Sequence, residues 1–225
     1  PVLNLTKGLD PTSGRRLSTL VEGRPVAALS GPNLAEEIAA GLPAATVVAS
    51  EDERLALWLQ AELNSAAFRV YVNTDLVGVE FCGAAKNVIA LAAGGVDGLR
   101  LGDNAKAGLI TRGVAEMARL GRACGARPET FAGLAGMGDL MVTCWSRLGR
   151  NRRAGELIAQ GWTPEEAAAE IGQTVEGLTT APILRQEARR LDIEMPITEG
   201  ICAVLQGVEA QDLVVSIMGR RPRAE

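Results

Sequence analysis

Two patterns of hydrophobic positions divide the chain near residue 73. Before this point, short runs rich in valine and other apolar residues alternate with helical patterns. The four runs are 1–6, 25–30, 44–50 and 68–73. Alternation of strands and helices is typical of a parallel sheet with helices on its faces. Residues 1–73 therefore predict a partial α/β domain.

Beyond residue 73 the apolar positions recur at spacings of three and four, which indicates helices. The helical segments are 74–99, 104–125, 128–146, 175–191 and 196–207. Glycines interrupt the third of these segments. We expect an all-helical second domain over 74–225.

Two helix starts can be located from capping patterns. Thr163 and Glu166 flank Pro164 with the spacing of a capping box, and proline is favoured at the first helical position. Ser50 and Glu53 have the same spacing between the third and fourth apolar runs. Both patterns predict that a helix begins there.

Composition narrows the class of protein. The chain has 225 residues, of which 47% are hydrophobic and 22% charged, as in a folded globular protein. The net charge of -4 argues against nucleic-acid binding, which needs a basic surface. Lys86 interrupts the longest apolar run, so we expect no membrane span. The first ten residues show no secretory signal.

Cysteine and histidine usage excludes familiar metal sites. The four cysteines are scattered without a C-x-x-C pair, and the chain contains no histidine. Structural zinc normally needs such clustered ligands. The cysteines are Cys82, Cys124, Cys144 and Cys202. We expect no metal site, reduced cysteines and a cytoplasmic location.

The absence of histidine also limits acid–base chemistry. A group that exchanges protons near neutral pH must then be a lysine, an acid, a cysteine or the single tyrosine, Tyr71. Only three of the 23 basic residues are lysines: Lys7, Lys86 and Lys106. Each lysine is therefore a candidate for work that needs a deprotonatable amine.

Lys86 lies in the most apolar helical segment. Apolar residues at spacings of three and four line one side of this helix, and others cover much of the rest. A partly desolvated amine there releases its proton more readily and suits exchange with a carbonyl or alcohol oxygen. The alternative is an amine that extends to solvent from a buried helix. The neighbouring Asn87 can orient a polar ligand.

Two further motifs follow predicted strands. Lys7 stands at the end of the first strand, where open parallel sheets bind ligands. The segment 29–41 places Ser-Gly-Pro-Asn between the next strand and a helix, where free backbone amides bind anions. The alternatives are a surface lysine in a turn and an ordinary capped turn.

The segment 133–156 concentrates glycines with polar residues. Asp139 and Thr143 lie one helical turn apart, and Arg150-Asn151 precede a predicted helix. A guanidinium beside a helix N-terminus suits a phosphate group. The alternative is a solvated basic cap.

Seven motifs, in this order, resemble the bacterial NAD(P)-dependent glycerol-3-phosphate dehydrogenase family. They are TKGL, SGPNLAEEIAAGLP, FRVYVNTDLVGVEFCGAAKNVIALAAG, NAKAGLITRGVAEM, GMGDLMVTC, GRNRRAGE and VEG. The resemblance runs from Lys7 to at least Pro196. It implies a Rossmann-like first domain, an NAD or NADP cofactor, and interconversion of glycerol 3-phosphate and dihydroxyacetone phosphate for phospholipid synthesis.

The resemblance also implies residue roles. Lys86 would donate and accept the proton at the substrate's C2 oxygen. The substrate would be lined by Lys7, Gly31, Asn33, Asp139, Gly149, Arg150 and Asn151, in addition to the candidates Asn87 and Thr143. The cofactor would contact Lys7, Ala35, Arg150, Thr174 and Glu176.

Three departures from the family pattern affect these expectations. Gly149 stands where bacterial members usually have serine, and Thr174 stands where an apolar residue is more frequent. The G-x-G-x-x-G motif that holds the cofactor pyrophosphate does not occur. We therefore expect that the chain lacks the first half of the nucleotide-binding domain and binds cofactor poorly.

Alternatives to this dehydrogenase remain open. One is a non-catalytic helical remnant that dimerises or binds phosphate, and another is a related β-hydroxyacid dehydrogenase with a helical lysine. Arg150-Asn151 favour a phosphorylated substrate over the latter. The choice between NAD and NADP is not encoded in these residues, and a homodimer is expected only because apolar helical domains often pair.

Overall fold

The computed structural model describes residues 1–218 and contains one four-stranded sheet. Its strands, in spatial and chain order, are β1 (Val2–Asn4), β2 (Val26–Ser30), β3 (Ala44–Ala49) and β4 (Phe68–Asn73). A 3₁₀ turn at Leu17–Leu20 precedes β2, α1 (Ala35–Ala39) follows it, and α2 (Glu53–Leu63) joins β3 to β4. All four predicted strands are confirmed.

Strand direction differs from the prediction at one place. β1 and β2 are parallel, and so are β3 and β4, but β2 and β3 are antiparallel, with Ala28 opposite Ala49. A parallel crossover needs a helix that covers the sheet, and α1 buries none of its residues. The chain therefore turns back after β2, and the predicted all-parallel sheet is wrong for this central pair.

The sheet has an apolar layer on each face. On one face, α2 packs Leu55 and Leu59 against Val48 and Val70. Asp52 caps this helix by accepting from the amides of Arg54 and Leu55. The predicted capping box at residues 50 and 53 is wrong, because the Ser50 hydroxyl donates instead to the carbonyl of Val26.

The helical part is built around α3 (Leu76–Gly98), which spans 23 residues. The other helices are α4 (Asp103–Ala123), α5 (Pro128–Ala132), a π-helix (Leu134–Gly138), α6 (Asp139–Trp145), α7 (Arg150–Ala159), α8 (Pro164–Ile171), α9 (Glu176–Arg190), α10 (Pro196–Leu205) and α11 (Ala210–Met218). The predicted capping box of Thr163 with Glu166 is present at the start of α8. The fold class, a small α/β portion followed by helices, is confirmed.

Burial of α3 identifies it as a core helix. By length and composition it could cross a bilayer, but 89% of its most apolar window is buried inside the fold. Its apolar surroundings include Ala28 and Val47 of the sheet as well as Leu120 and Leu184 of the helices. The four cysteines are free, and Cys124 is the one that is only partly buried. A division into domains at residues 73/74 stays a prediction.

Glycines bring α7 directly against α3. A methyl group at Gly94 would overlap the carbonyl of Arg152, and one at Gly155 would overlap the carbonyl of Leu91. Close backbone contact of this kind leaves two helices little freedom to slide. The position of the N-terminus of α7 relative to the middle of α3 is therefore set by this crossing.

We predict opposite effects for two adjacent glycines of α3. Gly94→Ala should lower the free energy of unfolding by about 2 kcal/mol, because the methyl group forces the two helices apart. Gly95→Ala should raise it by about 0.5 kcal/mol, since that position is open and alanine favours the helix. Urea unfolding measures both values, and equal stabilities for the two variants would contradict the close crossing.

Candidate active site

Lys86 lies in the middle of α3 with its amine inside the protein. Its side chain is 7% exposed. The Nζ atom donates to Oδ1 of Asp139 at 2.5 Å and to Oγ1 of Thr143 at 2.9 Å. The prediction of a buried amine is confirmed, and the alternative of an amine reaching solvent is wrong.

Asp139 holds two amines at once. Its Oδ2 accepts from Nζ of Lys7 at 2.8 Å and from the Ser30 hydroxyl at 3.2 Å, while Oδ1 accepts from Lys86. The carboxylate begins α6, directly after the π-helix, an element that occurs frequently at functional sites. The three charged groups form a triad of two ammonium groups on one carboxylate, in which Lys86 and Asp139 are buried and the Lys7 side chain is 19% exposed.

The triad shifts the pKa values of its members. Burial lowers the pKa of Lys86 from 10.5 to about 8; the charge of Asp139 opposes this shift, and that of Lys7 adds to it. Burial alone would raise the pKa of Asp139, but the Lys86 and Lys7 charges outweigh it and hold that pKa below its usual value. Lys86 is thereby placed where it can exchange a proton near neutral pH.

Lys7 reaches the triad from the end of β1. Its Nζ also donates to Oδ1 of Asn33 at 2.7 Å and to the carbonyl of Gly31 at 3.2 Å. Because β1 and β2 are parallel, the segments after both strands meet at one edge of the sheet. A side chain at Gly31 would approach the backbone of Thr46 to 2.9 Å, so glycine allows this loop to pack.

A chain of amide hydrogen bonds connects Lys7 to α9. The Asn87 Nδ2 donates to the Lys7 carbonyl at 2.9 Å, and the Asn151 Nδ2 donates to Oδ1 of Asn87 at 3.0 Å. The Asn151 Oδ1 accepts from the Gly177 amide at 2.8 Å. Both asparagines are buried. The chain therefore fixes four segments of the site relative to one another.

Arg150 provides a partly exposed cation beside this chain. It is the first residue of α7, its side chain is 41% exposed, and its Nη2 pairs with Oε1 of Glu176 at 3.0 Å. The helix N-terminus adds a partial positive charge and free amides. The amide chain thus joins α3, which carries the proton-exchanging amine of Lys86, to α7, whose first residue Arg150 is suited to an anion.

The sequence matches two halves of one protein family. Residues 1–56 match the NAD-dependent glycerol-3-phosphate dehydrogenase N-terminus, and residues 75–216 match the corresponding C-terminus. The chain belongs to the NAD-dependent glycerol-3-phosphate dehydrogenase family. This membership confirms the resemblance found in the sequence.

Similar proteins share both the sequence and the fold of this family member. A glycerol-3-phosphate dehydrogenase (NAD(P)+) of Symbiobacterium thermophilum is 54% identical over 97% of this chain and 66% of the relative, and one of Gloeobacter violaceus is 51% identical over 100% and 75%. The glycerol-3-phosphate dehydrogenase structure from Coxiella burnetii is 42% identical, with a TM-score of 0.93 over 97% of this chain and 68% of that one. The chain spans about two thirds to three quarters of the length of these proteins.

The structure brings most predicted site residues of this dehydrogenase-family chain together. Hydrogen bonds or ion pairs join these members of the site: Lys7, Gly31, Asn33, Lys86, Asn87, Asp139, Thr143, Arg150, Asn151 and Glu176. Gly149 caps α7 directly before Arg150. Ala35 begins α1, Thr174 is exposed before α9, and within residues 1–218 no hydrogen bond joins either to this network. Their cofactor roles stay predictions.

Two contributors were missed by the sequence analysis. Ser30 donates to Asp139, and the hydroxyl of Thr46 donates to the Ser30 carbonyl while accepting from Asn33. Both are polar residues at buried strand positions. A polar residue within an otherwise apolar strand is visible in the sequence, and this feature could have identified both residues as members of the site.

We predict that Asp139→Asn lowers the free energy of unfolding by about 3 kcal/mol at pH 6, since the buried Lys86 and the partly buried Lys7 lose the carboxylate that they share. The pKa of Lys86 is about 8 in the folded protein, and its ordinary value, which applies to the unfolded chain, is 10.5. Above pH 8 the unfolded chain binds more protons than the folded one, so stability rises with pH. At pH 9.5 Lys86 is largely neutral, and the loss should be smaller.

Urea unfolding at the two pH values checks this prediction. Glu199→Gln is the matched control, because it removes an acid from the exposed pair with Arg189 and should change stability little at either pH. A loss for Asp139→Asn that is the same at pH 6 and pH 9.5 would contradict the proposed charge balance of the triad.

Proposed function

We propose that this chain carries the substrate-binding and proton-transfer part of an NAD(P)-dependent sn-glycerol-3-phosphate dehydrogenase, which interconverts glycerol 3-phosphate and dihydroxyacetone phosphate. The observation that carries the proposal is the buried Lys86 amine on Asp139, with its pKa lowered to about 8. Membership of the family supplies the substrate and the cofactor class.

The residues present fit one end of a nicotinamide cofactor. Arg150 and Glu176 offer a partly exposed donor and acceptor. The three N–H donors of Lys7 already meet Gly31, Asn33 and Asp139, so a cofactor contact of Lys7 would replace one of these bonds. These groups can hold a carboxamide, a ribose hydroxyl or a phosphate oxygen. The sequence contains no G-x-G-x-x-G for the pyrophosphate. We therefore assign to these three residues the nicotinamide end of the cofactor only.

Lys86 has one donor left for a substrate. An ammonium group carries three N–H donors, and the described contacts of Lys86 use two, to Asp139 and Thr143. The third can meet the C2 oxygen of the substrate. When bound, the nicotinamide group supplies or accepts the hydride at C2. Lys86 then gives a proton to that oxygen in the reduction and takes it back in the oxidation.

Asp139 and Thr143 keep Lys86 in position during the proton transfer. The Thr143 hydroxyl donates to the Asp139 carbonyl at 2.6 Å, which leaves its lone pairs facing the amine. Asp139 accepts from the charged form of Lys86 and so stabilises the ammonium that forms in the oxidation direction. Both side chains are buried, so water does not compete for these contacts.

Arg150 and the N-terminus of α7 would bind the phosphate of the substrate. A guanidinium and free helix amides are common phosphate ligands, and the Arg150 side chain is exposed enough to receive one. Anchoring the phosphate there holds the reacting carbon near Lys86 and lowers the entropy cost of the reaction.

The remaining expectations extend this proposal. Free cysteines fit a reducing cytoplasm, and a homodimer stays a prediction of the sequence analysis. Burying the Lys86 ammonium and the Asp139 carboxylate away from water is unfavourable. A non-catalytic remnant would keep this unfavourable pair without using it. The triad therefore favours the enzyme over that alternative.

The test compares Lys86→Met with Lys86→Arg. Both should lower turnover with glycerol 3-phosphate by at least about 100-fold, since arginine keeps the charge but does not deprotonate. Calorimetry should still detect glycerol 3-phosphate binding to both variants. In the wild type, oxidation should speed up and reduction should slow down as the pH rises through about 8.

Three outcomes decide the proposal. Turnover retained by Lys86→Arg would remove Lys86 from proton transfer. A wild-type chain that binds glycerol 3-phosphate but does not turn it over, even at NAD+ or NADP+ concentrations that saturate a weak cofactor site, would favour the non-catalytic alternative. A wild-type chain that does not bind glycerol 3-phosphate would contradict the assignment of the phosphate site.

A further inference from the structure

A short turn separates the two working parts of the site. Helix α6 carries Asp139 and ends at Trp145, and α7 begins with Arg150. Between them, the Gly149 amide donates to the Ser146 carbonyl at 3.1 Å and closes the turn. The shape of this turn, together with the glycine crossing of α3 and α7, therefore affects the distance between the proton-transfer triad and the N-terminus of α7.

Arg152 holds this turn from inside the protein. Its Nε donates to the Ser146 carbonyl at 3.1 Å, the same oxygen that accepts from Gly149. Its Nη1 donates to Asp97 at 2.6 Å, and its Nη2 pairs with Glu156 at 3.1 Å. The side chain is only 10% exposed. One guanidinium thus links the turn to two acids.

Lys106 also contacts Asp97, and it connects this acid to the end of α6. Its Nζ donates to both oxygens of Asp97, at 2.9 and 2.7 Å, and lies 5.4 Å from the centre of the Trp145 ring. Asp97 therefore binds two cations, one that contacts the end of α6 and one that contacts the turn after it. We call Asp97, Lys106 and Arg152 the clamp.

Ion pairing alone does not explain the clamp. Asp97 lies in the last turn of α3, where a negative charge is unfavourable, and burying charged groups costs free energy. Asp97 and Glu156 together balance the charges of Lys106 and Arg152. The bond from Nε to Ser146 adds nothing to the charge balance, and a guanidinium is the side chain that can make all three contacts in fixed directions.

We propose that Arg152 is a positioning residue for the substrate's phosphate. By holding Ser146 it fixes the turn before α7, so that Arg150 and the first amides of α7 stay at the right distance from Lys86. Arg152 is buried and need not touch the substrate itself. The inference rests on the proposed function, because the phosphate belongs to the substrate assigned there.

The matched test compares Arg152→Lys with Arg153→Lys. Arg152→Lys keeps a cation for Asp97 but loses the directed Nε bond to Ser146. Arg153 is the adjacent arginine, is half exposed and pairs with Glu170 on the surface. Calorimetry with glycerol 3-phosphate should show a dissociation constant raised roughly fivefold to tenfold for Arg152→Lys and unchanged for Arg153→Lys.

Two further readouts separate positioning from general damage. The Michaelis constant for glycerol 3-phosphate should rise as the dissociation constant does, while kcat stays within about twofold, because the triad is untouched. The Gly149 amide should exchange its hydrogen faster in Arg152→Lys than in Arg153→Lys. Asp97→Asn, which keeps an oxygen for Arg152 but removes the charge, should change the Michaelis constant in the same direction.

The outcomes distinguish failure of this inference from failure of the proposed function. Equal glycerol 3-phosphate binding by the wild type and Arg152→Lys overturns this inference alone. A fall in kcat as large as the rise in the Michaelis constant, or equal exchange at Gly149, also overturns it. Absence of binding by the wild-type chain overturns the proposed function and this inference together.

Discussion

One carboxylate shared by two ammonium groups is the interaction on which the rest of this site depends. Asp139 is the carboxylate that both Lys86 and Lys7 contact, and burial of the charged Lys86 amine is unfavourable without it. Burial lowers the pKa of Lys86, and the acid keeps that shift small enough for the amine to be charged on one side of pH 8 and neutral on the other. The same three groups therefore account for the local stability and for the proposed proton transfer.

Helix packing places a second part of the site, the N-terminus of α7, at a fixed position relative to this triad. α3 carries Lys86 and Asn87, and the glycine crossing presses α7 against the same helix. The amide chain through Asn151 and the clamp on the turn before Arg150 then fix how far the N-terminus of α7 lies from the amine. A rigid spacing between a proton donor and an anion position is what a small phosphorylated substrate requires.

Much of this structure could be predicted from local sequence patterns, but the pairings between distant parts of the chain could not. The spacing of apolar residues placed Lys86 inside a helix, and the strand ends placed Lys7 near the segment after β2. The antiparallel pairing of β2 with β3 depends on how little α1 buries, which its sequence alone does not show. The contact of Ser30 with Asp139 and that of Asp97 with Arg152 join distant parts of the chain, and no local spacing records them.

The pKa of Lys86 tests the central claim most directly. The chain has three lysines, so selective ¹³Cε labelling of lysine gives a simple NMR spectrum, and the Lys86 signal is the one lost in Lys86→Met. We predict that this signal titrates near pH 8 and moves to lower pH in Asp139→Asn, where the counter-charge is gone. Titration of Lys86 at its ordinary value of 10.5 or above would contradict the account.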